Sequence, residues 1–274
     1  MTPAIQAPGV KQVFFESKAA KSKVSFHIYL PSAYEKAKDR RFPVLYWLHG
    51  SGGGLPGIRP VSGFFASAMD SGKIPPMIVA FPNSFANGMW CDSADGKTPI
   101  ETIILGELIP YVDATYRTKP AKEGRILEGF SMGGYGAGRL GFKYSNKFSG
   151  VSILAGGPLD LEFQGPRAAA NPRGREQILK TVYGGDMAVY RAQSPWVLAE
   201  QNVKSLKSGP PLRICVGEDD FTFNANKALA DHLSKLGVKH TFLSRAKIGH
   251  DTLGLLNALG DENWKFYREA ISEN

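Results

Sequence analysis

A serine lies between two glycines in the stretch 129–133, Gly-Phe-Ser-Met-Gly, which matches the pattern G-x-S-x-G. The stretch follows a short, largely apolar segment, 125–127, and precedes a segment typical of a helix, 134–144. Small residues on both sides of the serine suit a strand-to-helix turn, because the backbone there is strained and closely packed. We therefore predict that Ser131 is a nucleophile at such a turn, with a glycine-rich loop and an inert serine as the alternative.

A nucleophilic serine needs a base that accepts its proton. The chain offers five histidines, His27, His49, His232, His240 and His250. Three of them, at 27, 232 and 240, fall within or beside predicted strands and helices, which favours structural roles. His250 instead follows the last predicted strand in the loop 247–251, just before the final helix. We predict that His250 is the base.

The base in turn needs a carboxylate that orients it, at the end of a strand between the serine and the histidine. Three acids, Glu218, Asp219 and Asp220, follow the predicted strand 212–216. We predict that Asp220 is the acid, with Asp219 as the alternative and Glu218 disfavoured.

Acyl transfer also needs N–H donors for the oxyanion of the tetrahedral intermediate. The backbone N–H of Met132 directly follows the nucleophile at a helix N-terminus. The glycine-rich run 49–54, after the predicted strand 44–48, supplies a second donor, which we assign to Ser51, with Gly50 or Gly52 as alternatives. We expect His49 to brace this loop rather than to act as a base.

Substrate contacts are expected in the loop that follows the fourth strand, since pockets of open α/β sheets form at that edge. Trp90 and Asp92 lie in this loop, and the indole could stack on a sugar or aryl ring or fold onto the core. Phe221, after the predicted acid, is a further candidate, together with His49 and Gly50.

Around these residues, segment 23–30 alternates apolar and polar residues, as a half-buried strand does, with 13–16 as its hairpin neighbour. Later apolar runs are short and suit strands buried on both faces of a parallel sheet. These runs are 44–48, 77–81, 125–127, 151–154, 212–216 and 241–243. Helical patterns lie at 100–112, 225–236 and 253–271. The alternation predicts an α/β fold: a mostly parallel central sheet with an antiparallel N-terminal start and helices on both faces.

The segment 158–211 separates two predicted strands by more than a normal crossover and contains helical pieces at 175–182, 187–192 and 197–206. We interpret it as an insertion after strand 6 that forms part of the pocket wall. The rest of the chain shows no repeats and no linker, so residues 1–274 are predicted to form a single domain.

Composition narrows the class of protein. With 43% hydrophobic and 21% charged residues, the chain suits a folded globule rather than a disordered one. Two cysteines, Cys91 and Cys215, are too few for a disulfide framework. No stretch approaches the roughly 18 apolar residues of a membrane span. No signal peptide is visible, so we expect a cytoplasmic protein unless a leader was replaced, in which case it would be secreted or periplasmic.

The net charge is +8, and residues 1–41 carry +5 of it. A basic face could attract anionic polymers. Because the charges are spread along a strand-like segment, we favour a lysine-protected edge strand and expect no nucleic-acid partner.

Five segments together resemble the esterase D/feruloyl esterase family of α/β hydrolases, also called putative esterases. They are 48–54, 107–118, 128–150, 216–221 and 248–251, in family order over nearly the whole chain. The resemblance implies an α/β-hydrolase fold and a serine carboxylesterase with no cofactor and no metal. It carries the nucleophile to Ser131, the acid to Asp220, the base to His250 and the oxyanion donors to Ser51 and Met132.

The sequence departs from two related groups. S-formylglutathione hydrolases usually lack this His-Gly loop and carry a cysteine soon after it, whereas Gly52, Gly53, Gly54 and Leu55 stand here. Related mycolyltransferases use a glutamate as the acid, which Asp220 disfavours.

We therefore predict hydrolysis of carboxylic esters through an acyl-enzyme, with feruloyl or acetyl esters of plant polysaccharide as candidate substrates. The expected partner is a small-molecule or polysaccharide-linked ester, and the expected state is a monomer or homodimer. The alternatives are a thioesterase resembling S-formylglutathione hydrolase, an acyltransferase, and an inactive binding protein with the hydrolase fold.

Overall fold

The strands of the chain pair into one sheet in the computed structural model, which describes residues 2–163 and 171–271. Within these residues the sheet has eight strands in the order β1-β2-β4-β3-β5-β6-β7-β8. Their bounds are β1 Val10–Ser17, β2 Ser22–Tyr29, β3 Val44–Leu48, β4 Ile78–Phe81, β5 Arg125–Phe130, β6 Gly150–Leu154, β7 Leu212–Gly217 and β8 Thr241–Arg245.

The sheet begins antiparallel and continues parallel. β1 pairs with β2, and β2 with β4, in antiparallel register, whereas all pairs from β4 through β8 are parallel. β1 forms one edge of the sheet, with exposed Lys11 near its start and exposed Lys18 directly after its end, as the lysine-protected edge strand predicts. The predicted mostly parallel sheet with an antiparallel start is confirmed.

Helices connect the strands. They are α1 Ser32–Lys36, α2 Leu55–Asp70, α4 Met132–Lys143, α5 Pro172–Tyr183, α6 Met187–Ala192, α7 Pro195–Gln201, α8 Val203–Lys207, α9 Phe223–Lys235, α10 Thr252–Ala258 and α11 Asp261–Ala270. Between α2 and α4, α3 is a continuous helix with the α-helical segments Ile100–Thr102 and Ile109–Thr115 on either side of a π-helical segment, Ile103–Leu108. None of the helices in the described ranges is long and apolar enough to cross a membrane.

Helices cover both faces of the sheet, because the central strands bury both. In β3 every residue is buried, and alternate side chains enter two different clusters. Tyr46 packs in the cluster that contains residues of α3, α4, α7 and α9. Trp47 packs in the cluster that contains residues of α2, α10 and α11. A strand buried on both faces needs the continuous apolar run that 44–48 shows.

Several elements differ from the sequence prediction. The final helix predicted over 253–271 is two helices, α10 and α11, because Gly260 interrupts them with φ of +57°. The helical piece predicted at 197–206 is likewise divided into α7 and α8. α2 was not predicted at all, since two prolines and two glycines occupy its first nine residues.

The long connection between β6 and β7 carries α5 to α8, and its residues 164–170 lie outside the described part of the chain. Tyrosine hydroxyls attach it to α4, which follows the nucleophile. The hydroxyl of Tyr135 lies 3.0 Å from that of Tyr183 and donates to the Gln193 carbonyl at 3.1 Å. The role of 158–211 as part of the pocket wall stays a prediction.

Candidate active site

Ser131 occupies the one-residue turn between β5, which ends at Phe130, and α4, which begins at Met132. Its φ of +60° and ψ of −120° lie in a region that non-glycine residues rarely adopt. Gly129 and Gly133 make this turn sterically possible. A Cβ at Gly133 would overlap the Leu48 carbonyl, and one at Gly129 would overlap the backbone of Gly133. The spacing G-x-S-x-G thus reflects close backbone contact on both sides of the serine.

Three predicted residues from distant parts of the chain meet at this turn. The Nε2 atom of His250 lies 2.9 Å from Ser131 Oγ. On the other side of the ring, Nδ1 lies 2.7 Å from Oδ2 of Asp220. With the carboxylate ionised, Nδ1 carries the proton and donates a hydrogen bond to Asp220. Nε2 is then free to accept the hydroxyl proton of Ser131.

The second oxygen of Asp220 is held by Thr222. Oδ1 accepts hydrogen bonds from the Thr222 backbone N–H at 2.7 Å and from its hydroxyl at 2.8 Å. Burial works to raise the pKa of Asp220, but the hydrogen bonds from His250 and Thr222 outweigh it and hold the pKa below its ordinary value. The buried carboxylate is therefore ionised and oriented at neutral pH.

The two competing acids lie elsewhere. Glu218 and Asp219 are exposed, and Glu218 accepts a hydrogen bond from the Ser244 hydroxyl at 2.7 Å. Of the three acids, Asp220 is the one that the structure brings to His250.

Aromatic rings pack on the imidazole of His250. Its ring centroid lies 4.6 Å from that of Phe130 and 4.4 Å from that of Phe221. Phe221, which the sequence suggested as a substrate contact, is therefore in position to restrict the tilt of the base. A contact between Phe221 and the substrate stays a prediction.

Two stretches of backbone adjoin the nucleophile. Met132 opens α4, and N–H groups of a first helical turn have no intrahelical acceptor. On the other side, a Cβ built on Gly50 would lie 3.2 Å from Ser131 Cβ and 3.7 Å from its Oγ. The Gly52 N–H donates to the Ala86 carbonyl at 2.8 Å, which removes Gly52 from the alternative oxyanion donors. The assignment to Ser51 stays a prediction.

His49 is buried and fastens the loop that carries these glycines. Its Nδ1 lies 2.7 Å from the Gly50 carbonyl, and its Nε2 lies 3.1 Å from the Ser84 backbone N–H. Because a backbone N–H can only donate, Nε2 must accept and Nδ1 must donate, so the ring is neutral. Burial lowers the pKa of His49, against the hydrogen bonds to Gly50 and Asn83, which is consistent with this neutral form.

Of the two positions that the sequence allowed for Trp90, the structure shows the side chain folded onto the core. Its side chain is completely buried, its indole N–H donates to the His49 carbonyl at 3.2 Å, and its ring centroid lies 4.9 Å from that of His49. The guanidinium of the buried Arg139 donates to the Trp90 carbonyl at 2.9 Å. These contacts hold the indole against the His49 loop in the core, which corrects the interpretation of Trp90 as a substrate contact.

Asp92 also makes a structural contact. Its carboxylate accepts from the Thr102 backbone N–H at 3.0 Å and from the Thr102 hydroxyl at 2.6 Å. Both oxygens thus hold the first turn of α3. The substrate contact proposed for Asp92 finds no support in this arrangement.

A groove of about 470 Å³ lies beside His250 and was not predicted from the sequence. It lies between the first turns of α2 and α10, and its floor includes Phe130 and the glycines of the His49 loop. Residues on the two helical walls include Pro56, Gly57, Pro60, Asp251, Thr252 and Leu253. The glycines and prolines of 52–60 were the sequence feature that could have predicted the groove, because their small side chains leave space at this surface.

Comparisons with known proteins agree with this architecture. The family model described as "Putative esterase" matches residues 17–274. A solved ferulic acid esterase structure superposes with a TM-score of 0.78 at 25% identity, over 95% of this chain and 98% of that one. The chain is therefore similar to that enzyme over nearly the full length of both.

Among curated proteins, an endo-1,4-beta-xylanase/feruloyl esterase of Xylanibacter ruminicola is 32% identical over 169 residues, which is 58% of this chain and 23% of that protein. An acetyl esterase of Caldicellulosiruptor saccharolyticus is 22% identical over 88% of this chain and 92% of its own length. The chain spans between about a quarter and a third of the length of the first curated relatives that it matches. Because the family model extends over almost the entire chain and the fold superposes on that of the ferulic acid esterase, the protein belongs to the putative esterase family of α/β hydrolases.

Proposed function

We propose that the protein is a serine carboxylesterase that hydrolyses esters through an acyl-enzyme on Ser131. The observation that carries the proposal is the hydrogen-bonded line from Ser131 through His250 to the ionised Asp220, at a strained strand-to-helix turn. A serine placed only for structure has no need of a base and an orienting carboxylate at these distances.

In the first step, Ser131 Oγ attacks the ester carbonyl carbon while His250 Nε2 takes the hydroxyl proton. The tetrahedral oxyanion receives hydrogen bonds from the backbone N–H groups of Met132 and Ser51, and Asp220 stabilises the imidazolium. The C–O bond to the alcohol then breaks, and His250 gives the proton to the leaving oxygen. The acyl group remains as an ester of Ser131.

In the second step, His250 takes a proton from water, and the resulting attack on the acyl-enzyme releases the carboxylic acid. The proton returns to Ser131 Oγ as the acyl bond breaks. The residues named in these two steps account for every proton transfer of ester hydrolysis.

For the substrate, we propose feruloyl or acetyl esters of carbohydrate. The names of a relative and of a similar structure support a feruloyl group, and the name of the acetyl esterase supports an acetyl group. The insertion 158–211 is proposed to contribute the remaining wall of the acyl site, within the single domain 1–274.

The test is steady-state hydrolysis of p-nitrophenyl acetate, butyrate and octanoate and of methyl ferulate, for the wild type and Ser131→Ala. We expect turnover in the wild type, a mass increase equal to the acyl group on rapid quenching, and loss of both in the variant with an unchanged circular dichroism spectrum. Near-normal turnover by Ser131→Ala would refute the mechanism. Absence of wild-type turnover on every ester would refute the activity. Partition of the acyl group between water and added methanol separates hydrolysis from acyl transfer.

A further inference from the structure

We propose that the groove between α2 and α10 binds the alcohol part of the ester, and that this alcohol is a sugar. The inference rests on the proposed function, because it names which portion of the substrate this side of the site receives. It assigns a role to the first turn of α2, for which no function was predicted from the sequence.

The direction of proton transfer decides which part of the ester enters the groove. His250 must give its proton to the leaving oxygen, so that oxygen comes within about 2.6–3.2 Å of Nε2. His250 and the three residues that follow it form one wall of the groove. The chain of atoms attached to the leaving oxygen therefore continues along Asp251 and Thr252, and this chain is the alcohol.

The floor of the groove adjoins the position proposed for the ester carbonyl. Gly50, Gly53 and Gly54 of the His49 loop line this floor, and a Cβ on Gly50 would approach Ser131 Oγ to 3.7 Å. The ester carbonyl is thus bound where the loop reaches the nucleophile. The groove extends away from that point between the two helices.

The groove surface combines the two features that sugar rings need. The exposed rings of Pro56 and Pro60 give flat apolar surfaces for the C–H faces of a ring. Across from them, the exposed carboxylate of Asp251 and the hydroxyl of Thr252 can bind ring hydroxyls. Asp251 is held in position because its Oδ1 caps α10 by accepting the Leu253 N–H at 3.0 Å. A volume of about 470 Å³ falls within the ordinary range of small-ligand sites, roughly 300–1,000 Å³.

Gly57 keeps the α2 wall open, and this provides a selective test. It is exposed, it lines the groove, and a Cβ built on it meets no atom within 4 Å. Gly57→Phe therefore fills the groove without a steric clash at its point of attachment. Gly63, in the same helix, is also exposed with nothing within 4 Å of its built Cβ. Since the structure does not place Gly63 on the groove, Gly63→Phe is the matched control.

The experiment uses four esters that combine two acyl groups, acetyl and feruloyl, with two alcohols, methanol and a pentose. For both acyl groups, we expect Gly57→Phe to lower the ratio of kcat/KM for the pentose ester to that for the methyl ester at least tenfold. Gly63→Phe should leave this ratio within twofold of the wild type. Asp251→Asn keeps a good helix N-cap and should lower the same ratio severalfold, which provides a second test should Gly57→Phe fail to fold.

A loss in Gly57→Phe that follows the acyl group instead of the alcohol would overturn the proposal and assign the groove to the acid part. An unchanged ratio in both Gly57→Phe and Asp251→Asn would also overturn it, with ester hydrolysis itself intact. Failure of the wild type on all four esters is a different result, because it would refute the proposed esterase activity.

Discussion

Replacing Asp220 by asparagine tests the assignment of the acid, because the structure determines how the amide must orient. Oδ1 of Asp220 accepts two hydrogen bonds from Thr222, one from the backbone N–H and one from the hydroxyl. In Asp220→Asn the amide oxygen takes this place, so the NH₂ group occupies the position of Oδ2. It then faces Nδ1 of His250 across a distance of 2.7 Å.

The amide is a donor at that position, and it forces the imidazole into the wrong tautomer. Nδ1 must accept from the amide, so the proton moves to Nε2, which then points an N–H at Ser131 and can no longer take its proton. The corresponding replacement in another serine hydrolase triad lowers kcat about 10⁴-fold. Since each factor of ten is about 1.36 kcal/mol, we expect a loss of about 5 kcal/mol of transition-state stabilisation.

The assay compares kcat for p-nitrophenyl acetate at pH 7.5 in the wild type, Asp220→Asn and Asp219→Asn, with thermal unfolding as the check on folding. Asp219 is one residue away and exposed, so its replacement should change kcat less than twofold. The reasoning would be refuted by a folded Asp220→Asn variant with kcat within tenfold of the wild type, or by a large loss in Asp219→Asn alone.

Two further perturbations test the supports of the site. His49→Ala leaves the Ser84 N–H without its acceptor and loosens the His49 loop, so we expect kcat to fall 10- to 100-fold with little change in KM. His49→Gln should restore part of the lost kcat. Burial lowers the pKa of His49 below its unfolded value of 6.5. The stability that neutral His49 contributes should therefore be complete above pH 6.5 and decline below it. The measurement is the difference in urea unfolding midpoint between wild type and His49→Gln as a function of pH. Glu128→Ala leaves the buried Arg213 without its partner and should cost about 3–5 kcal/mol in urea unfolding. Glu162→Ala, at an exposed ion pair, should cost at most about 1 kcal/mol.

The sheet could be predicted from the sequence because its central strands bury both faces. The predicted run 44–48 is observed without change as β3, Val44–Leu48, since continuous apolar character marks such a strand at both ends. β5 was predicted three residues too short because Gly129 and the polar Glu128 interrupt its apolar run. Glu128 is buried with Arg213, and a buried ion pair between residues that lie far apart in the sequence leaves no periodic signal.

The site divides in the same way. Ser131 and His250 lie at ends of regular elements, so chain order and local pattern located them. Trp90 could not be placed, because whether a loop tryptophan meets solvent or core depends on residues far along the chain, here His49 and Arg139. The groove was missed since α2 contains the residues that usually end helices.

A row of three buried polar residues crosses the central strands of the sheet and fixes the register between them. Glu128 on β5, Ser152 on β6 and Arg213 on β7 are direct neighbours across the parallel strands. The guanidinium of Arg213 donates to Ser152 at 2.8 Å and to Glu128 at 2.7 Å, and the Tyr267 hydroxyl of α11 donates to Glu128 at 2.8 Å. A slip of one residue between these strands would leave the buried charges unpaired, which costs far more than an apolar mismatch. The row thus ties the strand that ends at the nucleophile to the strand that leads to the acid. We infer that breaking it should change the distance between Ser131 and Asp220 before it unfolds the chain.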